Sequence, residues 1–177
     1  MACVWTPEGA IALALDVAEA GLAAGEMPIG AVVLAGDRVL GRAFTQERTL
    51  GRRIVHADLL AMEQTDEVLG FSRPEEPLTL AVNLEPCLMC LGAAITLGVQ
   101  RVYYALESPN DGGVELLAQW QPPIEEPFFC RPSEIRGGIL RGRSQRLFRR
   151  YAEGTGPAGM RTWAAALAAQ GCIGDAS

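Results

Sequence analysis

The sequence predicts an α/β domain in which helices cover both faces of a β-sheet. Residues 78–106 read as a strand, a helix and a second strand, and this βαβ pattern implies a parallel pair with a right-handed crossover. Upstream, residues 7–24 have the apolar spacing of an amphipathic helix, and two short apolar runs rich in β-branched residues follow. With 177 residues the chain is long enough for one domain with a substantial core.

The amino-terminal half is predicted to form a helix, a β-hairpin and a second helix. Residues 29–34 and 39–44 are the hairpin strands, with a glycine-containing turn between them. Residues 45–54 are polar and basic without a clear period, so we expect a loop that leads to a helix near His56. The first helix places four apolar residues on one side: Ile11, Leu15, Ala18 and Leu22.

The carboxy-terminal half is predicted to continue the sheet. A buried strand at 78–84 ends before Pro86, a helix of small apolar residues covers 88–97, and the next strand covers 101–106. Loop residues are expected over 108–124. Three further segments complete the chain, namely a last strand at 135–140, a basic helix at 141–151 and, after a break at 154–157, a terminal helix or tail.

The composition excludes a disordered chain and a disulfide scaffold, since 49% of the residues are hydrophobic and 20% are charged. No window approaches about 18 uninterrupted apolar residues, and Glu8 precedes any basic residue, so neither a membrane span nor a signal peptide is predicted. The five cysteines are odd in number and irregularly spaced, which favours thiols or metal ligands. We therefore expect a cytoplasmic protein without a membrane partner.

The charge is unevenly distributed. The formal net charge is −6, and every one of the 15 basic residues is Arg. Residues 131–150 hold seven of them and a single acid, a local charge of +6 that leaves −12 on the rest. Such a segment can hold a phosphate or a nucleic-acid backbone, or it can pair with acidic residues of the same fold.

The residues with chemistry are concentrated at the starts of two predicted helices. Cys87 and Cys90 form a Cys-x-x-Cys pair at a helix amino terminus, where the helix dipole favours thiolates. With His56, the only histidine, they make three ligands for a metal ion. Zinc takes four, so a protein that supplies three leaves a position for water and predicts a catalytic site.

Two other interpretations remain open from the residues alone. The Cys87 and Cys90 pair could be a redox pair, although that does not explain Pro86 or the upstream His56. A structural zinc would need a fourth ligand, for which Cys130 is the candidate.

Two segments carry a resemblance to a known family, His56-Ala57-Asp58 and Pro86-Cys87-Leu88-Met89-Cys90. They resemble the zinc signature of the cytidine deaminase superfamily, His-x-Glu followed by Pro-Cys-x-x-Cys. Within it the chain looks most like the branch of tRNA adenosine deaminases and guanine deaminases, because residues 25–33 are similar to its first strand. The resemblance covers roughly residues 8–151.

The resemblance implies a three-layer α/β/α fold with a mixed sheet of about five strands, one Zn²⁺ and a homodimer. It implies a deaminase domain at 1–153 and an extension at 154–177. It also implies hydrolytic deamination, in which zinc-bound hydroxide attacks the carbon bearing the amine while Asp58 transfers the protons. The predicted substrate contacts are Ile29, Thr45, Ala57, Glu85 and Pro86.

Two departures from the family pattern concern the substrate. Asp58 stands where the family has Glu, and the lost methylene withdraws the carboxylate by roughly 1.5 Å. Thr45 stands where the tRNA-editing branch has an asparagine, so the paired donor and acceptor of an amide are missing.

Three hypotheses for the activity follow. The first is deamination of a nucleobase, nucleoside or related aminated heterocycle. The second is adenosine-to-inosine deamination of tRNA, with Arg141, Arg146, Arg149 and Arg150 along one helix face, although the acidic composition opposes it. The third is a weak or silent relative that binds zinc.

Overall fold

A mixed five-stranded β-sheet organises the chain. The computed structural model describes residues 5–72, 74–121 and 129–171. In chain order the elements are α1 (Pro7–Ala23), β1 (Gly30–Ala35), β2 (Arg38–Phe44), α2 (Glu47–Leu50), α3 (Ala57–Leu69), β3 (Leu78–Leu84), α4 (Leu88–Leu97), β4 (Val99–Leu106), α5 (Val114–Gln119), β5 (Glu134–Arg136), α6 (Arg141–Ala152) and α7 (Ala158–Ala168). The strand order is β2-β1-β3-β4-β5.

The sheet is antiparallel on one side and parallel on the other. β1 pairs antiparallel with both β2 and β3, and its register with β2 shifts between Val33 and Leu34. β3 pairs parallel with β4, and β4 with β5, so the predicted βαβ unit is confirmed. The carboxyl ends of β3 and β4 therefore lie at the same edge of the sheet, which is where open α/β sheets bind ligands.

Helices cover both faces, which confirms the predicted three-layer architecture. On one face, Ile11 and Leu15 of α1 and Leu147 of α6 pack against Val32 and Leu34 of β1. On the other face the buried residues of α3, α4 and α5 pack against the same sheet, and they include Ala61, Leu91 and Leu117. A third cluster joins α6 and α7 and includes Phe148 and Leu167.

Two glycines allow helices to approach the sheet closely. A Cβ at Gly30 would overlap the backbone of α1 at Ala14 and Ala18, and a Cβ at Gly41 would overlap the Ala61 carbonyl of α3. Because α3 begins next to His56, the second approach helps to fix the position of the predicted metal site.

The structure corrects two predicted loops. Residues 47–50 form α2 within the expected loop at 45–54, and residues 114–119 form α5 within the expected loop at 108–124, of which 122–124 lie outside the described residues. In both short helices, backbone amides of the first turn donate hydrogen bonds to a carboxylate that is distant in sequence. Glu26 accepts hydrogen bonds from the backbone of α2, and Glu85 accepts one from Val114 N at 3.1 Å. The spacing of apolar residues along a short segment cannot predict hydrogen bonds to residues so far away in the sequence.

The last strand is shorter than predicted. β5 covers Glu134–Arg136 instead of 135–140. The backbone leaves the extended conformation at Gly138, with φ 77°, and at Leu140, with φ 55°. A residue with positive φ cannot continue a strand, so the chain turns into α6.

The segment after α6 was predicted as a terminal helix or a tail. Residues 158–168 form α7, whose Ala164, Leu167 and Ala168 are buried. The division into a domain at 1–153 and an extension at 154–177 stays a prediction. Among the described residues, none of the helices is both long and apolar enough to cross a bilayer.

Candidate metal centre and substrate pocket

Three side chains that bind metals come together at the starts of two neighbouring helices. His56 is the N-cap residue of α3, Cys87 is the N-cap residue of α4, and Cys90 lies in the first turn of α4. Neither N-cap residue forms a side-chain cap hydrogen bond to its helix. The positive ends of both helix dipoles favour negative charge on the sulfurs.

The distances between the donor atoms match a tetrahedral zinc site. Nδ1 of His56 lies 3.7 Å from Sγ of Cys87 and 3.7 Å from Sγ of Cys90, and the two sulfurs are 3.5 Å apart. A tetrahedral Zn²⁺ at its usual bond lengths separates such ligands by roughly 3.5–3.8 Å. Among the described residues these three form the one group of this kind, which leaves a fourth position for water or substrate.

The three groups perturb one another strongly. The hydrogen bond between Cys87 and Cys90 is the main cause that lowers the pKa of Cys87 to about 4. The hydrogen bond with Cys87 is the main cause that raises the pKa of His56 to about 9, against the opposing effect of burial. The pKa of Cys90 is raised by its hydrogen bond to Cys87 and by burial. Metal binding requires deprotonated donors, so a metal ion held by these three groups would displace protons.

Asp58 lies against the metal-ligating group. Its side chain is buried, and Oδ1 accepts a hydrogen bond from Sγ of Cys90 at 2.9 Å and one from Leu59 N at 3.2 Å. Burial is the main cause that raises the pKa of Asp58. Asp58, the predicted catalytic acid, therefore lies beside the candidate metal ligands, where its carboxylate can exchange protons.

A cavity of about 330 Å³ opens beside these residues. Its apolar wall contains Met27, Ile29, Val82, Leu84, Met160 and Trp163. Its polar wall contains Thr45, Glu47, His56, Asp58, Glu85 and Asp111. An apolar cleft with a few converging polar groups is typical of a small-molecule site.

Four of the predicted substrate contacts line this cavity, namely Ile29, Thr45, Ala57 and Glu85. Pro86 is buried and is not part of the cavity wall, and its carbonyl accepts a hydrogen bond from Gly113 N.

Two of these residues, Thr45 and Glu85, already form hydrogen bonds with other residues of the chain. The Thr45 hydroxyl lies 3.2 Å from Glu47 Oε2 and 3.2 Å from the Val55 carbonyl. The Glu85 carboxylate accepts hydrogen bonds from Ser108 N at 3.0 Å and Val114 N at 3.1 Å. Glu85 therefore shapes the loop around the pocket. The roles of the predicted contacts toward a substrate stay predictions.

Several pocket residues were not found from the sequence. Glu47 lies in the segment that reads as a loop, and Asp111 lies in a turn-rich loop where its carboxylate accepts from Ser108 Oγ at 2.5 Å. Met160 and Trp163 lie on α7, beyond a Gly-rich break. The only sequence signal for Glu47 is that this carboxylate follows the predicted contact Thr45 by two residues. No local sequence pattern indicates that α7 packs beside the site.

Residues 6–106 match the cytidine and deoxycytidylate deaminase zinc-binding region. The chain belongs to this family. It is a zinc-dependent deaminase, a hydrolase that acts on C–N bonds, and the predicted family and cofactor are confirmed.

The relatives of this deaminase include enzymes named for two substrates. A tRNA-specific adenosine deaminase of Bacillus subtilis is 34% identical over 116 residues, which are 66% of this chain and 70% of that protein. A structure from work on tRNA A34 deaminases that edit the wobble position has a TM-score of 0.65 at 29% identity and covers 78% of this chain and 97% of its own. The guanine deaminase of Bacillus subtilis has a TM-score of 0.54 at 29% identity and covers 58% of this chain and 66% of its own.

Family membership favours the zinc site over a redox pair. Cys130 is exposed and does not belong to the group of metal-ligating side chains found among the described residues. A closed structural zinc site with Cys130 as its fourth ligand is therefore not supported.

The arginines of this deaminase do not all share one helix face. Arg141 pairs with Glu107 at 2.5 Å, and Arg150 pairs with Glu19 of α1 at 2.6 Å. Nine residues separate these two arginines, which is two and a half helical turns, so they lie on opposite sides of α6. Arg146 and Arg149 are exposed and make no ion pair with another described residue. The predicted four-arginine face is thus wrong in its geometry.

Proposed function

We propose that His56, Cys87 and Cys90 hold the Zn²⁺ and that Asp58 is the catalytic acid and base. We further propose that the substrate is an aminated nucleobase, nucleoside or related heterocycle. The observation that carries this is the group of three donors, 3.5–3.7 Å apart, with the Asp58 carboxylate 2.9 Å from one of them at a cavity.

Deamination replaces an exocyclic amine by a carbonyl oxygen, consumes water and releases ammonia. Bound Zn²⁺ lowers the pKa of a water molecule and so supplies a nucleophile near neutral pH. Asp58 removes a proton from the water and delivers it to the ring nitrogen next to the reacting carbon. It then takes the remaining proton from the hydroxyl that has been added to that carbon and gives it to the amine, which leaves as ammonia while the carbonyl forms. The amino-terminal ends of α3 and α4 stabilise the negative charge that develops on the reacting atoms.

The shorter side chain of Asp58 is the decisive departure from the family pattern. A carboxylate displaced by about 1 Å can cost roughly 100-fold in rate. Burial of Asp58 against Cys90 holds the carboxylate in one place, so we expect turnover to depend on how closely the substrate approaches it.

An ammonia-release assay tests this proposal. Zinc-loaded protein is given adenine, guanine, cytosine, their nucleosides and other aminated heterocycles. We expect Asp58→Asn to lose roughly 100-fold or more in kcat, because general acid–base catalysis contributes about that much. Asp58→Glu is expected to retain activity or raise it.

Glu67→Gln is the matched control, since Glu67 is exposed on the same helix and does not line the cavity. An Asp58→Asn variant as active as the wild type would remove Asp58 from the mechanism. Activity only in Asp58→Glu would identify the chain as a weak or silent relative. Silence of both the wild type and Asp58→Glu would reject these substrates.

A second candidate is adenosine-to-inosine deamination of tRNA. It is favoured by the relatives named as tRNA adenosine deaminases and by the exposed Arg146 and Arg149. Inosine in a wild-type digest of an anticodon stem-loop, and its loss in Arg146→Glu with Arg149→Glu, would support this candidate.

We also propose that the chain forms a homodimer through a groove between α3 and α4. The groove has a volume of about 550 Å³, and we define it by Leu50, Ile54, Leu59, Leu60, Ala93 and Leu97. Ile54 is 59% exposed, which is unusual for so apolar a side chain beside others of its kind. Arg52 lies at the rim together with Glu63 and Asp66, so a two-fold related copy would place opposite charges together.

A further inference from the structure

Helix α7 forms one wall of the pocket, although it lies outside the region that matches the family. That region ends at residue 106, whereas α7 begins at Ala158. Gly159, Met160 and Trp163 of α7 line the cavity. Positions i, i+1 and i+4 of a helix lie on the same side, so the first two turns present one continuous surface to the pocket.

Two contacts hold this wall in place. The ring of Trp163 packs edge-on against Phe148 of α6, with ring centroids 6.5 Å apart and planes at 76°. Met160 Sδ accepts a hydrogen bond from the Tyr151 hydroxyl at 3.7 Å. Leu167 of α7 is buried in the same cluster. The indole is thus ordered before any ligand arrives, which reduces the entropy lost on binding.

Apart from His56, which belongs to the proposed metal site, the charged side chains of the pocket wall are carboxylates among the described residues. Glu47, Asp58 and Asp111 line the cavity, as does Glu85, and no arginine does. Arginine is the chain's only strong cation, since the sequence has no lysine. Apart from the metal site, where the amine of the base has to react, a phosphate would meet like charges and find no cation to pair with. Ring N–H and amine groups, in contrast, find carboxylates that accept hydrogen bonds.

We propose that α7 is the substrate-selecting wall of this site. Trp163 packs against the ring of a phosphate-free aminated base, free or carrying only a sugar, and the carboxylates of Glu47, Glu85 and Asp111 elsewhere on the cavity wall disfavour nucleotides and RNA. The inference rests on the proposed function, because the selected molecule is the one that is deaminated. Contact between a base and an aromatic side chain contributes roughly tenfold or more to affinity.

Kinetics with the zinc-loaded full chain test the selection. The substrates are guanine, adenine and cytosine, their ribonucleosides and 5′-monophosphates, and an anticodon stem-loop with adenosine at the wobble position. We expect the wild type to prefer the phosphate-free form of its best base over the monophosphate and the RNA by roughly 100-fold or more in kcat/KM. Trp163→Ala should raise KM for that base about tenfold while kcat changes less.

Two variants of the same helix serve as comparisons. Trp163→Phe keeps an aromatic ring, so its KM should stay within about threefold of the wild type. Thr162→Ala changes an exposed neighbour that does not line the cavity and should leave KM unchanged.

A variant that fills part of the cavity tests the wall without removing any packed side chain. A Cβ at Gly159 would meet no atom within 4 Å, and Gly159 lines the cavity, so we expect the side chain of Gly159→Leu to occupy part of the pocket. Replacing glycine in a helix also favours folding. We expect this variant to bind guanine or adenine about tenfold more weakly, at an unchanged or higher Tm. Binding is measured by calorimetry and by quenching of tryptophan fluorescence, which needs no turnover.

The outcomes separate this inference from the proposed function. Absence of base binding, equal binding by Trp163→Ala and Gly159→Leu, or equal turnover of the monophosphate or RNA would each overturn the selecting wall. Base binding that weakens in both variants, without ammonia release by any protein, would reject the deamination of these bases and still support the wall.

Discussion

The carboxylate of Glu26 holds the segment that carries part of the pocket wall. Glu26 is 1% exposed and accepts hydrogen bonds from Arg48 N at 3.1 Å and Thr49 N at 2.6 Å. Both amides belong to α2, which also carries Glu47 and follows Thr45 directly along the chain. Because those two residues line the cavity, Glu26 is a positioning residue that acts through them.

Glu26→Gln should therefore alter substrate binding more than the chemical step. The amide keeps one acceptor and loses the charge-assisted character of the pair, so we expect KM to rise severalfold with a smaller change in kcat. The free energy of unfolding should fall by about 1–3 kcal/mol. Steady-state kinetics and thermal unfolding measure the two effects. Glu67→Gln, an exposed change on α3, is the control; a Glu26→Gln protein equal to it in both KM and Tm would contradict the positioning role.

The residues of the candidate metal site are recognisable in the sequence, whereas the groups that position them are not. His56, Asp58, Cys87 and Cys90 occupy two short motifs, so their spacing carries the chemistry. Glu26 contacts amides 22 and 23 residues away, and Glu85 contacts amides 23 and 29 residues away. Such pairs form only when the chain is folded, and no local pattern marks them.

At the scale of elements, the sequence predicts segments whose ends are clearly marked and does not predict the short helices. The predicted β3 at 78–84 and α4 at 88–97 agree with Leu78–Leu84 and Leu88–Leu97, because apolar runs and terminal Pro and Gly define both ends. Helices α2 and α5 have four and six residues, too few for a periodic pattern, and each depends on a distant carboxylate. The packing of α7 over the pocket was likewise beyond local reasoning.

The proposed metal ion would join two elements, so its removal should change the stability of the fold. His56 begins α3, whereas Cys87 and Cys90 belong to the start of α4. An ion bound at a thousandfold excess over its Kd adds about 4 kcal/mol to the folded state. We expect a chelator to lower the Tm of the wild type, and one equivalent of zinc to restore it.

Two cysteine variants complete the metal experiment. Cys87→Ser should lose zinc by elemental analysis and show a low Tm that no longer responds to the chelator. Cys130→Ser changes a cysteine outside the metal-ligating group and should behave like the wild type. Full zinc content in Cys87→Ser would exclude Cys87 as a ligand.

At the scale of the whole molecule, the α3–α4 groove predicts the state of association. Ile54→Arg places a charge in the groove at an exposed position, so it should dissociate a dimer without unfolding the chain. Sedimentation velocity compares this variant with the wild type and with Val68→Arg, an exposed change on α3 outside the groove. A monomeric wild type, or an Ile54→Arg protein that stays dimeric, would contradict the proposed interface.

The edges of the sheet have a consequence for how copies of the chain meet. β2, at one edge, exposes Arg38 and Arg42, and its pairing with β1 is interrupted by the register shift. β5, at the other edge, has three residues. Charged, irregular or very short edge strands resist pairing with a further strand. The sheet edges are therefore poor templates for adding strands from other copies, and so for fibril growth. At high concentration of the folded protein, copies should contact one another through helical faces before strands.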